Sequence, residues 1–227
     1  MKLLFKKEKS FFLIFLCILL IDLVFTNNQT LYPYRYATKL WIVISLGIHF
    51  YYNNSYLLQK ERTLVWLALF FSFIADIILI TDRLLFVIIG MIMFLLVKIC
   101  YATIFYFKAR FDIDRLIPFL AVILLYSLIV IYYLYDGVGK LFLPVVIYIF
   151  VSLTMTKLAY LRYKMVNNKS YRYVMIGAIL FITSETYMSF YNFYKPLPYT
   201  NTLVILTYGL FQFFIIRGII LQNKSGE

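Results

Sequence analysis

The sequence predicts an all-α bundle of eight membrane-spanning helices, both termini cytoplasmic, forming one integral membrane domain over residues 1–227. Three observations carry this expectation. The first is composition: 64% of the residues are apolar and 14% charged, against ~45–50% and ~25% in an ordinary soluble domain. The second is patterning. Apolar runs close to the ~20 residues that span a hydrocarbon core recur along the chain, with no polar stretch long enough to fold alone. The third is charge asymmetry. The amino terminus, alternate loops and the carboxyl tail carry fourteen Lys and Arg, against four (Arg35, Arg83, Lys140, Lys195) in the remaining loops. Lys and Arg are retained on the cytoplasmic side, which sets the orientation.

Helix one is the apolar run Phe11–Phe25 behind a basic start. It has the shape of a signal peptide but ends in TNNQT, with no small-residue cleavage site, so it is expected to remain as the first span. Asp22, near its far end, reads as an interfacial carboxylate. Tyr32, Tyr34 and Tyr36 around Pro33 read as an aromatic belt. Helix two, Ala37–Tyr52, opens with Lys39 and carries the only histidine, His49. Helix three, Leu64–Ile80, holds Asp76, and the short turn Thr81-Asp82-Arg83 returns helix four, Leu84–Phe107, with Lys98 and Tyr101.

Helix five, Leu116–Tyr135, has no ionisable group except tyrosines and reads as scaffold. Helix six has Pro144 in its first turn, where proline is tolerated, and Lys157 near its end. Helix seven, Tyr173–Asn192, sets Glu185, Ser189 and Asn192 on one face by their i, i+4, i+7 spacing. Helix eight, Thr202–Leu221, pairs Tyr208 with Gln212 at i, i+4 and carries Arg217 near its end, where a long side chain snorkels to the interface. FFSFIAD of helix three aligns with ILFITSE of helix seven, acid on acid, a weak sign of a repeated four-helix unit.

Asp76 lies ~18 Å from the Leu64 end of its run at ~1.5 Å per residue, within the hydrocarbon core. A charge there is costly unless it is paired or faces a wet cavity, so it marks a site by default; the bland reading is a hydrogen bond between helices. Asp76, Glu185, Lys39, Lys98 and His49 are the intramembrane groups to be explained. The two acids sit at similar depth on helices of the same direction and are expected to share one pocket with one or both lysines. Such a pair suits hydrolysis, one carboxyl donating a proton while the other positions water. The same set also suits a proton relay or a structural ion-pair network, and spacing leaves all three open.

Other chemistries are excluded more easily. His49 alone cannot build a histidine zinc site and reads as a packing residue. Neither a G-x-S-x-G elbow nor a phosphate-cradling G-x-x-x-x-G-K is present. The net charge of +12 lies between apolar segments, not on a soluble face that could bind nucleic acid. Cys17 and Cys100 fall in separate apolar segments and read as packing residues. Nothing in the sequence sets an oligomeric state.

The segment around Asp76, Lys98-x-x-Tyr101, PVVIYIFVSL from Pro144, GAILFITSETYMSF and LTYGLFQFFII together resemble the YhhN family of eight-helix membrane proteins, from Lys39 to Leu221. That family includes the lysoplasmalogenases. The resemblance therefore implies cleavage of the vinyl ether of a membrane lysophospholipid to a fatty aldehyde and a glycerophospho-alcohol, in the cell membrane, with no metal or organic cofactor. It implies Asp76 and Glu185 as catalytic acids and Lys39, Lys98, Tyr101, Tyr208 and Gln212 as substrate-binding groups. The chain departs from the family pattern at Glu185, which stands for an aspartate after Ser184, at Val97-Lys98, which stand for Gly-His, and at Leu40, which stands for the proline after Lys39. Lys98 is expected to face the ligand with Tyr101, whose helical face it shares. A proton-coupled transporter, or a non-catalytic lipid-binding protein in which Lys98 locks an acid, are the readings that compete.

Overall fold

A computed structural model describes residues 5–81 and 83–223; Lys2, Asp82 and Lys224, used in the charge count or in the turn after helix three, lie outside them. The described chain is helical, without a strand: α1 (Glu8–Asn27), α2 (Arg35–Asn53), α3 (Gln59–Ile78), α4 (Leu84–Tyr106), α5 (Ile113–Val138), α6 (Phe142–Tyr160), α7 (Asn168–Phe193) and α8 (Thr200–Leu221), with 3-10 turns at Tyr32–Tyr34 and Gly139–Leu141. Five segments are long and apolar enough to cross a membrane: α1, α4, the stretch Ile113–Tyr160 that holds α5 and α6, α7 and α8. α2 and α3 fall short of that measure. Each spends part of its length on charge, Arg35 and Lys39 in α2 and the Gln59-Lys60-Glu61-Arg62 opening of α3.

Several helices outrun their apolar runs because a cap, not the end of hydrophobicity, stops them. Glu61 Oε2 accepts the Leu58 N–H at 3.0 Å, so α3 begins five residues before Leu64. Asn167 accepts the Lys169 N–H at 2.8 Å and starts α7 ahead of Tyr173. At its other end α3 stops at Ile78, so Asp76 lies in the last turn of the helix.

Each helix from α1 to α4 packs on the next, α4 packs on α6, α6 on α7 and α7 on α8, and α8 closes on α1 and α2. α8 is the most enclosed; Ile215, Ile216, Ile219 and Ile220 have no exposed surface. α5 packs mainly on α6 and α7 and turns most of its side chains outward. α1 buries Phe11, Phe15 and Leu19 in the main core, so the signal-like segment is a wall of the bundle. α7 and α8 approach most closely through glycine. A Cβ on Gly177 would meet the Ile215 amide nitrogen at 3.1 Å, and one on Gly218 the Val174 amide nitrogen at 3.0 Å. Small residues of this kind let helix backbones meet where lipid offers no hydrophobic drive.

The end of the bundle that carries the basic loops is closed by ion pairs. Arg217 does not snorkel; it is buried against Glu8, whose other oxygen accepts the Tyr173 hydroxyl at 2.9 Å. Arg162, fully buried, donates to Ser170 Oγ at 3.1 Å and Gln222 Oε1 at 2.9 Å. Glu61 faces Lys108 at 3.7 Å. His49 is a packing residue, stacked on Phe11 at 4.0 Å with Nδ1 2.7 Å from the Phe5 carbonyl.

Gly218→Ala should lower thermal stability in detergent by about 1–3 kcal/mol, because the new methyl meets backbone that cannot move alone. Gly209→Ala should cost less, since the nearest atoms to its methyl all belong to the Leu19 side chain, which can change rotamer. Equal losses in thermal melts would contradict the close α7–α8 approach.

Candidate functional site

A cavity of about 190 Å³ opens among the helices. α1 supplies Asp22, α2 Arg35 and Lys39, α3 Asp76, α7 Glu185 and α8 Tyr208; Met91, Phe94, Val145 and Phe181 make apolar wall. The volume admits several waters or a small polar headgroup. A few convergent polar groups in a largely apolar pocket are the usual form of a ligand site.

On one wall Asp76 is 1% exposed. Its Oδ2 accepts the Tyr208 hydroxyl at 2.7 Å, and its Oδ1, which accepts no hydrogen bond, lies 3.4 Å from Lys39 Nζ. Tyr208 is itself held from behind. Gln212 Nε2 donates to its oxygen at 3.3 Å and to Ser72 Oγ at 2.9 Å, while the Tyr101 hydroxyl donates to Gln212 Oε1 at 3.4 Å. A chain of donors thus runs from Tyr101 through Gln212 and Tyr208 to one oxygen of Asp76, and each member fixes the rotamer of the next.

Glu185, also on the cavity, has its Oε1 2.7 Å from Lys98 Nζ. Lys98 has no exposed surface, against 15% for the Glu185 side chain. Lys98 also donates to Ser152 Oγ at 2.6 Å and lies over the Tyr148 ring, 2.8 Å from its centroid. Ser152 has one proton and two acceptors in range, Glu185 Oε2 at 2.7 Å and the Tyr148 carbonyl at 2.9 Å. Behind Glu185, among Tyr126, Ser152, Thr186 and Ser189, a void of about 10 Å³ is near the size of one water. Asp76 and Glu185 thus each have a lysine partner within the protein, as the low dielectric demands.

Of the residues singled out in the sequence, Asp76, Glu185, Lys39 and Tyr208 line the cavity, and both acids line the same one. Lys98, Tyr101 and Gln212 do not line it. The expected ligand-facing role of Lys98 is corrected: its ammonium is taken up by Glu185, Ser152 and the Tyr148 ring. The helical face shared with Tyr101 does not hold either, since Tyr101 turns to α8 and Lys98 to α6 and α7. Asp22 is not an interfacial carboxylate. It is 1% exposed, lines the cavity and accepts the Thr38 hydroxyl at 2.5 Å. Arg35, counted among the loop charges, also lines the cavity. Tyr148 and Ser152 lie within PVVIYIFVSL, but nothing in that run assigns them a role, which depends on where α6 packs.

Lys98→Met should destabilise the protein by as much as ~3–5 kcal/mol, because it strands Glu185 without a counter-ion in a water-poor setting. Ser152→Ala should cost less, about 1 kcal/mol, since the direct ion pair survives it. Thermal unfolding of the two variants side by side checks the ranking; a neutral Lys98→Met would contradict it.

The sequence model of the YhhN family matches residues 34–219, which takes in every helix from α2 to α8 and all the cavity residues except those of α1 and the turn after it. Searches of curated proteins and of solved structures find no match. The match covers most of the chain, and the chain belongs to the YhhN family.

Proposed function

We propose that the protein is an intramembrane hydrolase of the lysoplasmalogenase type, cleaving the vinyl ether of an alkenyl lysophospholipid in the cavity between Asp76 and Glu185. One observation carries the reading: Asp76, Lys39 and Glu185 line one cavity, and the two acids are held by differently built lysine pairs. Glu185 is held close by Lys98 and Ser152, while Asp76 meets Lys39 at the longer distance of 3.4 Å. Lys39 itself lines the cavity with Arg35 and so is placed to meet a lipid phosphate. When the phosphate takes Lys39, Asp76 loses its counter-ion and takes up a proton.

The reaction then follows from the residues. Asp76 delivers its proton to the vinyl carbon remote from oxygen, and the cation that forms on the ether carbon is stabilised by the Glu185 carboxylate. Water adds to that carbon, giving a proton to Glu185 and leaving a hemiacetal. The hemiacetal hydroxyl returns a proton to Asp76, Glu185 protonates the glycerol oxygen, and the carbon–oxygen bond breaks to aldehyde and alcohol. The sum is one water consumed, with both acids restored. Tyr208, aligned by Gln212 and Tyr101, holds Asp76 in place. All eight helices cross the cell membrane as one domain, with both termini cytoplasmic.

The closed Lys98–Glu185 pair favours one competing reading, a lipid-binding relative in which Glu185 is structural. Incubation of the purified protein with alkenyl lysophospholipids, followed by mass spectrometry for aldehyde, separates the two. The hydrolase reading expects aldehyde from the parent chain and its loss in Asp76→Asn and Glu185→Gln; binding without aldehyde in any lipid would leave the second. Lys98→His and Glu185→Asp test the pair as a unit. Because these groups touch, the double variant should recover activity and stability beyond the sum of the single losses. Strict additivity would show that they act apart.

A further inference from the structure

We propose that the cavity draws its ligand from the extracytoplasmic leaflet, the one away from the basic loops. The inference rests on reading the cavity as a lipid site and adds the side from which the lipid comes. Its first support is where the lining residues sit in their helices. Thr26 lies near the end of α1, Asp76 and Leu79 at the end of α3, and Asn192 near the end of α7. Arg35 opens α2 and Asn201 lies in the first turn of α8. All belong to one end of the bundle, where Asn27 of α1 also donates to Thr202 of α8 at 3.3 Å.

The other end is sealed. Glu8 with Arg217, Glu61 with Lys108, and Arg162 with Gln222 occupy it, and none of them lines the cavity. Among the described residues that sealed end carries twelve of the Lys and Arg counted for orientation; the open end carries four. Basic loops stay in the cytoplasm, so the opening faces the opposite side.

Depth agrees with this placement. At ~1.5 Å per residue Asp76 lies ~3 Å from the end of α3 and Glu185 ~12 Å from the end of α7. A lysolipid entering from that leaflet would set its phosphate beside Arg35 and Lys39. Its first chain carbons would then reach inward toward Glu185, the deeper of the two acids. The same lipid in the cytoplasmic leaflet would meet the sealed end and would have to cross half the bilayer to reach them.

The test is thiol labelling of the full-length protein in intact cells with a membrane-impermeant maleimide. Asn201→Cys reports the open end, with Tyr191→Cys as a second position on the cavity; Ser55→Cys, in the α2–α3 loop, reports the basic end; the parent chain, with Cys17 and Cys100, sets the background. Asn201→Cys or Tyr191→Cys should label in intact cells and Ser55→Cys only after permeabilisation. Adding 1-alkenyl-glycerophosphoethanolamine outside the cells should protect the cavity cysteine. Labelling of Ser55→Cys alone in intact cells, or labelling of the cavity cysteines only after permeabilisation, would overturn the inference. So would labelling that the external lipid leaves unchanged. Protection without aldehyde would keep the leaflet assignment and defeat the hydrolase reading instead.

Discussion

The cost of a charge in a medium that cannot solvate it organises this protein. A carboxylate in the bundle needs a partner of opposite sign, and the partner has to come from another helix. Asp76 of α3 finds Lys39 of α2, and Glu185 of α7 finds Lys98 of α4. These pairs tie four helices around the cavity. At the far end Glu8 with Arg217 and Glu61 with Lys108 do the same for α1 with α8 and for α3 with the segment after α4. One requirement thus produces both a closed end and a chemically equipped open one. The two differ in what surrounds the pairs: packed side chains at the first, a cavity at the second.

The two site pairs are not equivalent, and the difference suits them to different work. Lys98 is enclosed, with Glu185, Ser152 and the Tyr148 ring around it, so its charge is committed. Lys39 is still open to the cavity and can be shared with an incoming anion. Lys98 and Glu185, both read from the sequence as departures from the pattern it resembles, touch each other.

Much of this was legible in the sequence. An apolar run is informative about span, so the acids and Lys39 stood out as exceptions inside runs, and the helical fold followed from composition. Tyr208 and Gln212 were found as an i, i+4 pair because a helix places such residues on one face. What was missed depended on packing between elements distant in sequence. Ser152 is an ordinary serine until α6 brings it between Lys98 and Glu185. Asp22 looked interfacial by its position in α1, yet α2 folds back to give it Thr38. Lys98 and Tyr101 shared a face on a helix wheel but reach different neighbours, because long side chains select partners that a wheel does not show.

The central claim is that Asp76, a fixed acid on one wall, delivers a proton to carbon while the cation forms against Glu185. It is tested most directly by turnover of an alkenyl lysophospholipid in heavy water, with the aldehyde reduced as it forms and its second carbon analysed for deuterium and handedness. Delivery from one wall of a chiral cavity predicts a single deuterium at that carbon, in one enantiomer. An unlabelled carbon, or a racemic one formed at the enzyme's rate, would contradict the account.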